Sequence, residues 1–386
     1  MEIKDYFEPA AVDPGYVLGE KNAFGTRVRQ HLPSGDFPDW KKADIAILGI
    51  SEYRNIHKDN CCNAANQARQ CLYGLTCPGT EMKIADLGNL RTGNTTDDTL
   101  AAIRDVLSLL LENKTIPLLL GGTRDLTLGM FTAYEKNKKT VNLTAIDSQP
   151  GLTPRFYDDI RIKSYLSKII SSRSNHLFNY SNIGYQTYFA GEGETILLEE
   201  LLFDAFRLGV VRKNIAEMEP VIRDTDLLMI SMSSIRQSDA PAAIFPSPNG
   251  LAGEEVCQLA WYAGKSERLS SIALFDWHAE FDNRFHTAHQ AAHAAWYFID
   301  GFYKRKDEYP FNPAKDCTSY IVHLSGPDTS INFFKSNKSE RWWMEVPSSK
   351  LPSSLMVACS YEDYQKACMQ EVPERWWQNF KKINNQ

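Results

Sequence analysis

PLLLGGTRD, residues 117–125, and AIDSQPGL, residues 145–152, decide how this chain is read. Each is a short apolar run that ends in a turn. A strand buried on both faces reads as a continuous apolar run, and parallel strands deliver their C-terminal turns to one edge of the sheet. A pocket is therefore expected at that carboxyl edge, with Arg124 and Asp147 facing it.

Outward from these two stretches the same grammar repeats. Residues 43–50 (ADIAILGI) and 83–87 (KIADL) read as strands, and 63–75 between them has helical spacing. Residues 95–112 make the clearest helix, with Thr95 and Asp98 spaced for a capping box and Leu100, Ile103, Leu107 and Leu110 as its apolar stripe. Further strands are expected within 180–188 and at 227–232 and 271–275. Helices are expected at 162–170, 197–207, 254–263 and 285–303. This alternation predicts a three-layer α/β/α fold around a doubly wound, mainly parallel sheet with right-handed crossovers. Residues 1–42 are expected to wrap the surface, 43–325 to form the α/β domain, and 326–386 to form a Trp-rich, loop-rich extension packed on it. Residues 318–324 can add a strand.

Bulk composition narrows the function classes. The chain has 386 residues, 43% hydrophobic and 23% charged, which suits an ordinary globular protein. A net charge of −6 argues against a broad nucleic-acid footprint. There is no basic, apolar leader at the N-terminus and no 18-residue apolar run, so a cytoplasmic protein that does not span a membrane is expected. The eight cysteines contain no C-x-x-C pair and are read as free thiols rather than disulfides or a zinc site. Cys61, Cys62, Cys71 and Cys77 match no zinc spacing, and Gly121-Gly122 lacks the Lys-Ser/Thr pair of a phosphate loop.

By Asp147 a family pattern has accumulated. LLLGGTRDLTLG resembles the LGG-x-H-S-x-x-x-G strand end of the ureohydrolases, the family of arginase, agmatinase and formimidoylglutamase. AIDSQPGL resembles the family's W-x-D-A-H-x-D, and Ile183-Gly184-Tyr185-Gln186 its I-G-x-R. Residues 229–241 stand where S-x-D-x-D-x-x-D-P belongs, Gly250-Leu251 and Glu254 resemble G-L-x-x-x-E, and FDWHAEFD (275–282) resembles E-x-N-P-x-x-D. The resemblance covers roughly residues 43–300. It implies an arginase-like fold and, in the family, two Mn²⁺ ions that activate a water for attack on a guanidino or formimidoyl carbon. Carried over position by position, the six metal ligands become Arg124, Asp147, Gln149, Gly151, Ser233 and Ile235. Only Asp147 remains. Asp276 holds the acidic position of the last motif, followed by His278 and Ala279 in place of Asn and Pro. His176 lies where arginases carry a proton-shuttling histidine.

Two dications need several carboxylates, because an uncompensated buried charge is expensive. One surviving carboxylate and an added cation cannot supply that, so no Mn²⁺ or other cofactor is expected and Arg124 is expected to pair with Asp147. The leading expectation is a non-catalytic protein of this fold that works in protein interaction, as a homo- or hetero-oligomer. The alternatives are a formimidoylglutamase-like hydrolase of linear amidines with an altered site, and a sensor in which Arg124 holds an anionic small molecule. The expected pocket is Arg124, Asp147, Gln149, His176, Ser233, Asp276 and His278. The repeated ERWW segments place Arg341, Trp342, Trp343, Arg375, Trp376 and Trp377 as interface candidates, either pinning the extension to the domain or facing a partner. His286, His289 and His293 share one helix face. Without an H-E-x-x-H pattern or a nearby carboxylate, a plain surface is favoured there over a metal site.

Overall fold

The computed structural model describes residues 2–12, 22–56, 63–79, 81–152, 164–172, 176–308, 311–313, 315–325, 330–350 and 353–385. Ten of the described strands form one sheet. In chain order they are β1 (Phe7–Glu8), β2 (Arg29–Gln30), β3 (Ile45–Ile50), β4 (Ile84–Leu90), β5 (Ile116–Leu120), β6 (Val141–Ile146), β7 (Leu177–Tyr185), β8 (Asp204–Arg207), β9 (Leu227–Ser231) and β10 (Ser271–Phe275). Their spatial order is β1-β4-β3-β5-β10-β9-β6-β7-β8, with β2 also on β4. Only β1 runs antiparallel to its neighbour among these pairings.

The helices are α1 (Ala64–Tyr73), α2 (Thr96–Glu112), α3 (Thr127–Lys136), α4 (Tyr165–Ile170), α5 (Glu192–Glu200), α6 (Leu208–Lys213), α7 (Met218–Arg223), α8 (Gly253–Lys265) and α9 (His286–Phe302). The period of two along each strand divides the core. Leu118 and Leu120 of β5 join the cluster that includes residues of α1, α7, α8 and α9, while Leu119 joins that of α2, α3 and α4. Two apolar layers on one sheet are what the continuous apolar strands demand. The cap of α2 forms as expected: Thr95 Oγ1 accepts from the Asp98 amide at 3.2 Å, and Asp98 Oδ2 accepts from the Thr95 amide at 2.9 Å.

Residues 197–207, expected to be one helix, divide between two elements. Helix α5 ends at Glu200, Leu202 takes a positive φ of 57°, and Asp204–Arg207 pairs in parallel with β7. The α5 register buries only Leu198, so sheet pairing outweighs helical extension here.

The C-terminal part is also more regular than its composition suggests. Strands β11 (Cys317–His323), β12 (Ser330–Ser336), β13 (Trp342–Val346) and β14 (Leu355–Cys359) form a second, antiparallel sheet in sequential order. Helices α10 (Tyr361–Cys368) and α11 (Glu374–Asn385) come after it. Ile331, Phe333, Trp342, Met344, Val357 and Trp376 build a separate apolar cluster. Strand β11 belongs to this sheet, so a boundary drawn at 325/326 cuts through it.

Candidate functional site

Four neighbouring strands, β5, β10, β9 and β6, occupy the middle of the main sheet. Each ends by delivering one polar side chain to the same place. After β5, Gly121 and Gly122 adopt φ of +82° and +83°. A Cβ on Gly121 would lie 2.7 Å from the Ile50 carbonyl oxygen, so the turn needs glycine both for its torsion and for its close approach. The turn leads into a single 3₁₀ turn, Arg124–Leu126, that buries Arg124.

Arg124 Nη1 donates to both oxygens of Asp147, at 2.8 and 2.7 Å. Its Nε lies 2.6 Å from Asp276 Oδ2, and its backbone amide donates to Asp276 Oδ1 at 2.9 Å. Ser231, the last residue of β9, donates its hydroxyl to Asp276 Oδ2 at 2.6 Å. The guanidinium packs 5.1 Å from the centre of the Phe245 ring. Arg124, Asp147 and Asp276 are each 0% exposed. Asp276 itself sits at φ +73°, a conformation an aspartate tolerates better than most residues. Its amide is held by the Gly122 carbonyl at 2.9 Å.

The electrostatics derive from burial. Desolvation pushes the Asp147 carboxyl up to about 6, against the downward pull of Arg124. Burial alone disfavours the Arg124 charge, but Asp147 and Asp276 outweigh it and raise the guanidinium, which stays protonated. Burial also raises Asp125, despite hydrogen bonds from Thr123 and Asn55. A sealed guanidinium between two carboxylates is an ion-pair plug. Its net worth over an apolar filling is small, but removing one member strands the others.

The expected residues are placed unevenly. Arg124, Asp147 and Asp276 come together. Ser233 lies at the same edge, where its Oγ accepts from the Phe245 amide at 3.1 Å and so anchors the residue that covers the guanidinium. Gln149 lies two residues past Asp147, and its amide donates to Asp147 Oδ1 at 3.2 Å. His278 packs edge-on to Tyr53, whose hydroxyl accepts from the Gly122 amide at 2.8 Å. His278 therefore belongs to the wall behind the turn. His176 is a correction: it precedes β7 at the amino edge of the sheet, where its carbonyl accepts from the Val141 amide. Its Nδ1 lies 3.1 Å from the Lys139 carbonyl oxygen. Strand β7 separates it from the pocket. Ser231 is a site residue that the sequence reading did not single out, although it holds the serine position of the S-x-D-x-D pattern matched at residues 229–241.

The donor set does not suit a pair of hard dications. A monovalent organic cation already stands between the two central carboxylates. Among the described residues, no group of three or more His, Cys, Asp or Glu side chains is arranged to hold a metal ion.

The ERWW segments serve the second sheet. Arg223 of α7 donates from Nη1 to the Trp342 carbonyl at 3.0 Å and from Nη2 to the Cys359 carbonyl at 3.1 Å, and lies 4.3 Å over the Trp343 ring. Trp343 stacks on Phe311 at 4.0 Å, and Trp342 stacks on Tyr364 at 4.9 Å. Trp376 donates its indole N–H to the Glu345 carbonyl at 2.8 Å. Arg375 reaches Asp224 at 3.1 Å, and Arg341 reaches Glu308 at 3.3 Å. Five of the six interface candidates are therefore used inside the chain. Trp377 alone of the six is well exposed, at 41%. Of the cysteines, Cys71, Cys77, Cys257, Cys317, Cys359 and Cys368 are free, and Cys61 and Cys62 lie outside the described residues.

A sequence model of the arginase family matches residues 43–300. The chain belongs to the arginase family. Solved structures with the same fold include formimidoylglutamase from Bacillus subtilis, 17% identical with a TM-score of 0.63 over 75% of this chain and 95% of that one. A formiminoglutamase variant from Trypanosoma cruzi with Mn²⁺ is 18% identical, with a TM-score of 0.61 over 69% and 95%. Arginase from Bacillus subtilis is 15% identical, with a TM-score of 0.56 over 66% and 98%. No curated protein sequence matches. Among the described residues of this arginase-family chain, no helix is long and apolar enough to cross a membrane.

Proposed function

We propose that this arginase-family protein is catalytically silent and acts by binding a protein partner. The carrying observation is the Arg124 plug. Its guanidinium is clamped on Asp147 and lies against Asp276, with no exposure, at the edge where the family's chemistry would take place. Asp147 is committed to that pair and cannot act freely as a general base. His176 faces the opposite edge of the sheet. The same clamp disfavours a sensor, since the face of Arg124 that would grip a carboxylate ligand already grips one. A binding role is supported by the extension, whose outer residues Tyr361, Met369, Val372 and Trp377 expose apolar surface.

The test has two arms. Purified protein is titrated with Mn²⁺ in a thermal unfolding assay and incubated with a panel of formimidoyl and guanidino compounds. The expected result is an unchanged melting temperature and no release of ammonia, urea or formamide. Native purification at gentle salt, with mass spectrometry, is expected to recover a stoichiometric partner whose binding is lost in Trp377→Ala or Met369→Lys. Stabilisation by Mn²⁺ or turnover of any panel member overturns the proposal.

A further inference from the structure

Helix α9 divides cleanly into two faces. Ala288, Ala291, Ala292, Ala294 and Ala295 are buried in the core. The opposite face carries His286, His289 and His293 at i, i+3 and i+7, and these line a cavity of about 830 Å³ between α8 and α9. The sequence favours a plain surface here. The structure instead shows a walled groove, with Glu254, Cys257 and Trp261 of α8 on its far side. The imidazole rings of His289 and His293 lie 6.1 Å apart, tilted by 43°.

We propose that His289 and His293 form a two-imidazole chelate for a first-row transition-metal ion of the Cu²⁺, Ni²⁺ or Zn²⁺ class. The spacing i, i+4 puts two imidazoles on one face of a helix, one turn apart, which suits joint ligation of a single borderline cation. Water completes the coordination, and His286 lines the same groove without joining the pair as a third ligand.

The platform is rigid. Gly264 and Gly301 let α8 and α9 nearly touch, since a Cβ on Gly301 would lie 2.5 Å from the Trp261 carbonyl oxygen. A chelate on a fixed helix loses little freedom when it binds. Neutral imidazole is the ligating form of both residues. Two rival ligands on the groove wall are already engaged. Cys257 stays a thiol, pushed up to about 11 by burial, and its Sγ accepts from Gln290 Nε2. Asp239 is held by Arg236 and the Gly253 amide. The two proposed ligands are both nitrogen donors, which favours Cu²⁺, Ni²⁺ or Zn²⁺ over Mn²⁺, and Glu254 across the groove remains as a carboxylate on its wall. It is independent of the Arg124 plug.

The experiment is calorimetric titration of the tag-free chain with Ni²⁺, and electron paramagnetic resonance with Cu²⁺. One equivalent of Ni²⁺ is expected to bind, and the Cu²⁺ spectrum is expected to show at least two nitrogen ligands. Losing one arm of a chelate removes its effective-concentration gain, so His289→Ala and His293→Ala are each expected to weaken Ni²⁺ binding about tenfold or more. His176→Ala is expected to bind as the parent does. All three positions are at least partly solvent-accessible, so unchanged circular dichroism is expected to accompany these results. Parent-like Ni²⁺ affinity in the His289→Ala/His293→Ala double variant, or a Cu²⁺ spectrum with one nitrogen ligand, overturns the proposal.

Discussion

Replacing Arg124 by Met tests the plug directly. The substitution keeps volume and removes the charge, leaving Asp147 and Asp276 fully buried without their cation. Breaking a buried ion pair by deleting one partner costs about 3–5 kcal/mol, and here two carboxylates lose the same guanidinium. A loss of about 4 kcal/mol is expected at pH 7.5. With a urea m-value of about 3 kcal/mol/M, that moves the midpoint down by more than about 1 M. The pH dependence carries the sharper information. In the parent, burial already lifts Asp147 to about 6, and Arg124 opposes that lift. Without Arg124 the folded-state pKa rises further above the unfolded value, so the folded state holds more protons than the unfolded one. The variant should therefore gain stability relative to the parent as pH falls from about 7.5 towards 5. Asp147→Asn added to Arg124→Met should recover part of the loss at pH 7.5. Urea unfolding by circular dichroism at pH 5.5 and 7.5 measures all of this. A loss below about 1 kcal/mol at pH 7.5, or one that does not change with pH, would refute the reasoning.

Other sites give further expected outcomes. Trp343→Ala removes a ring stacked between Phe311 and Arg223, so it should cost about 3–5 kcal/mol and open residues 317–385 to limited proteolysis. Trp377→Ala, on an exposed ring, should stay within about 0.5 kcal/mol. Burial lowers Lys382 to about 8, next to the Phe203 and Phe178 rings. Its unfolded pKa is higher, so the unfolded chain holds the extra proton and stability should rise with pH from about 8 to 10. The difference between the parent and Lys382→Met in unfolding experiments across that range should show this slope, and equal slopes would refute it.

The main sheet was legible because its strands are covered on both faces and so carry unbroken apolar runs. The Arg124–Asp147 pair was legible because two strand ends of a known pattern brought a cation to a carboxylate. Asp276 was placed in the pocket as the acidic position of a motif, but its second contact with Arg124 depends on β10 lying between β5 and β9, which no local pattern records. The extension was hard to read because β11 and β12 lie half-exposed and mix polar with apolar residues. The two ERWW copies show the limit most clearly. In β13 the adjacent indoles Trp342 and Trp343 point to opposite faces and both are buried. In α11 the same four letters bury Trp376 and leave Trp377 outside. Identical local sequence takes strand or helix according to what lies beside it.

The plug at Arg124 also couples substitutions at the pocket to one another. Placing a histidine there alone would leave Asp147 and Asp276 facing each other with neither guanidinium nor metal between them. Placing an aspartate at Ser233 alone would add a third acidic group to a site that holds one positive charge. Each such single substitution is expected to cost several kcal/mol, so the pocket residues can change only together. The ion pair thus sets its own stability against any single substitution that would bring a metal-ligating group to this edge, and leaves surfaces that the pair does not touch outside that constraint.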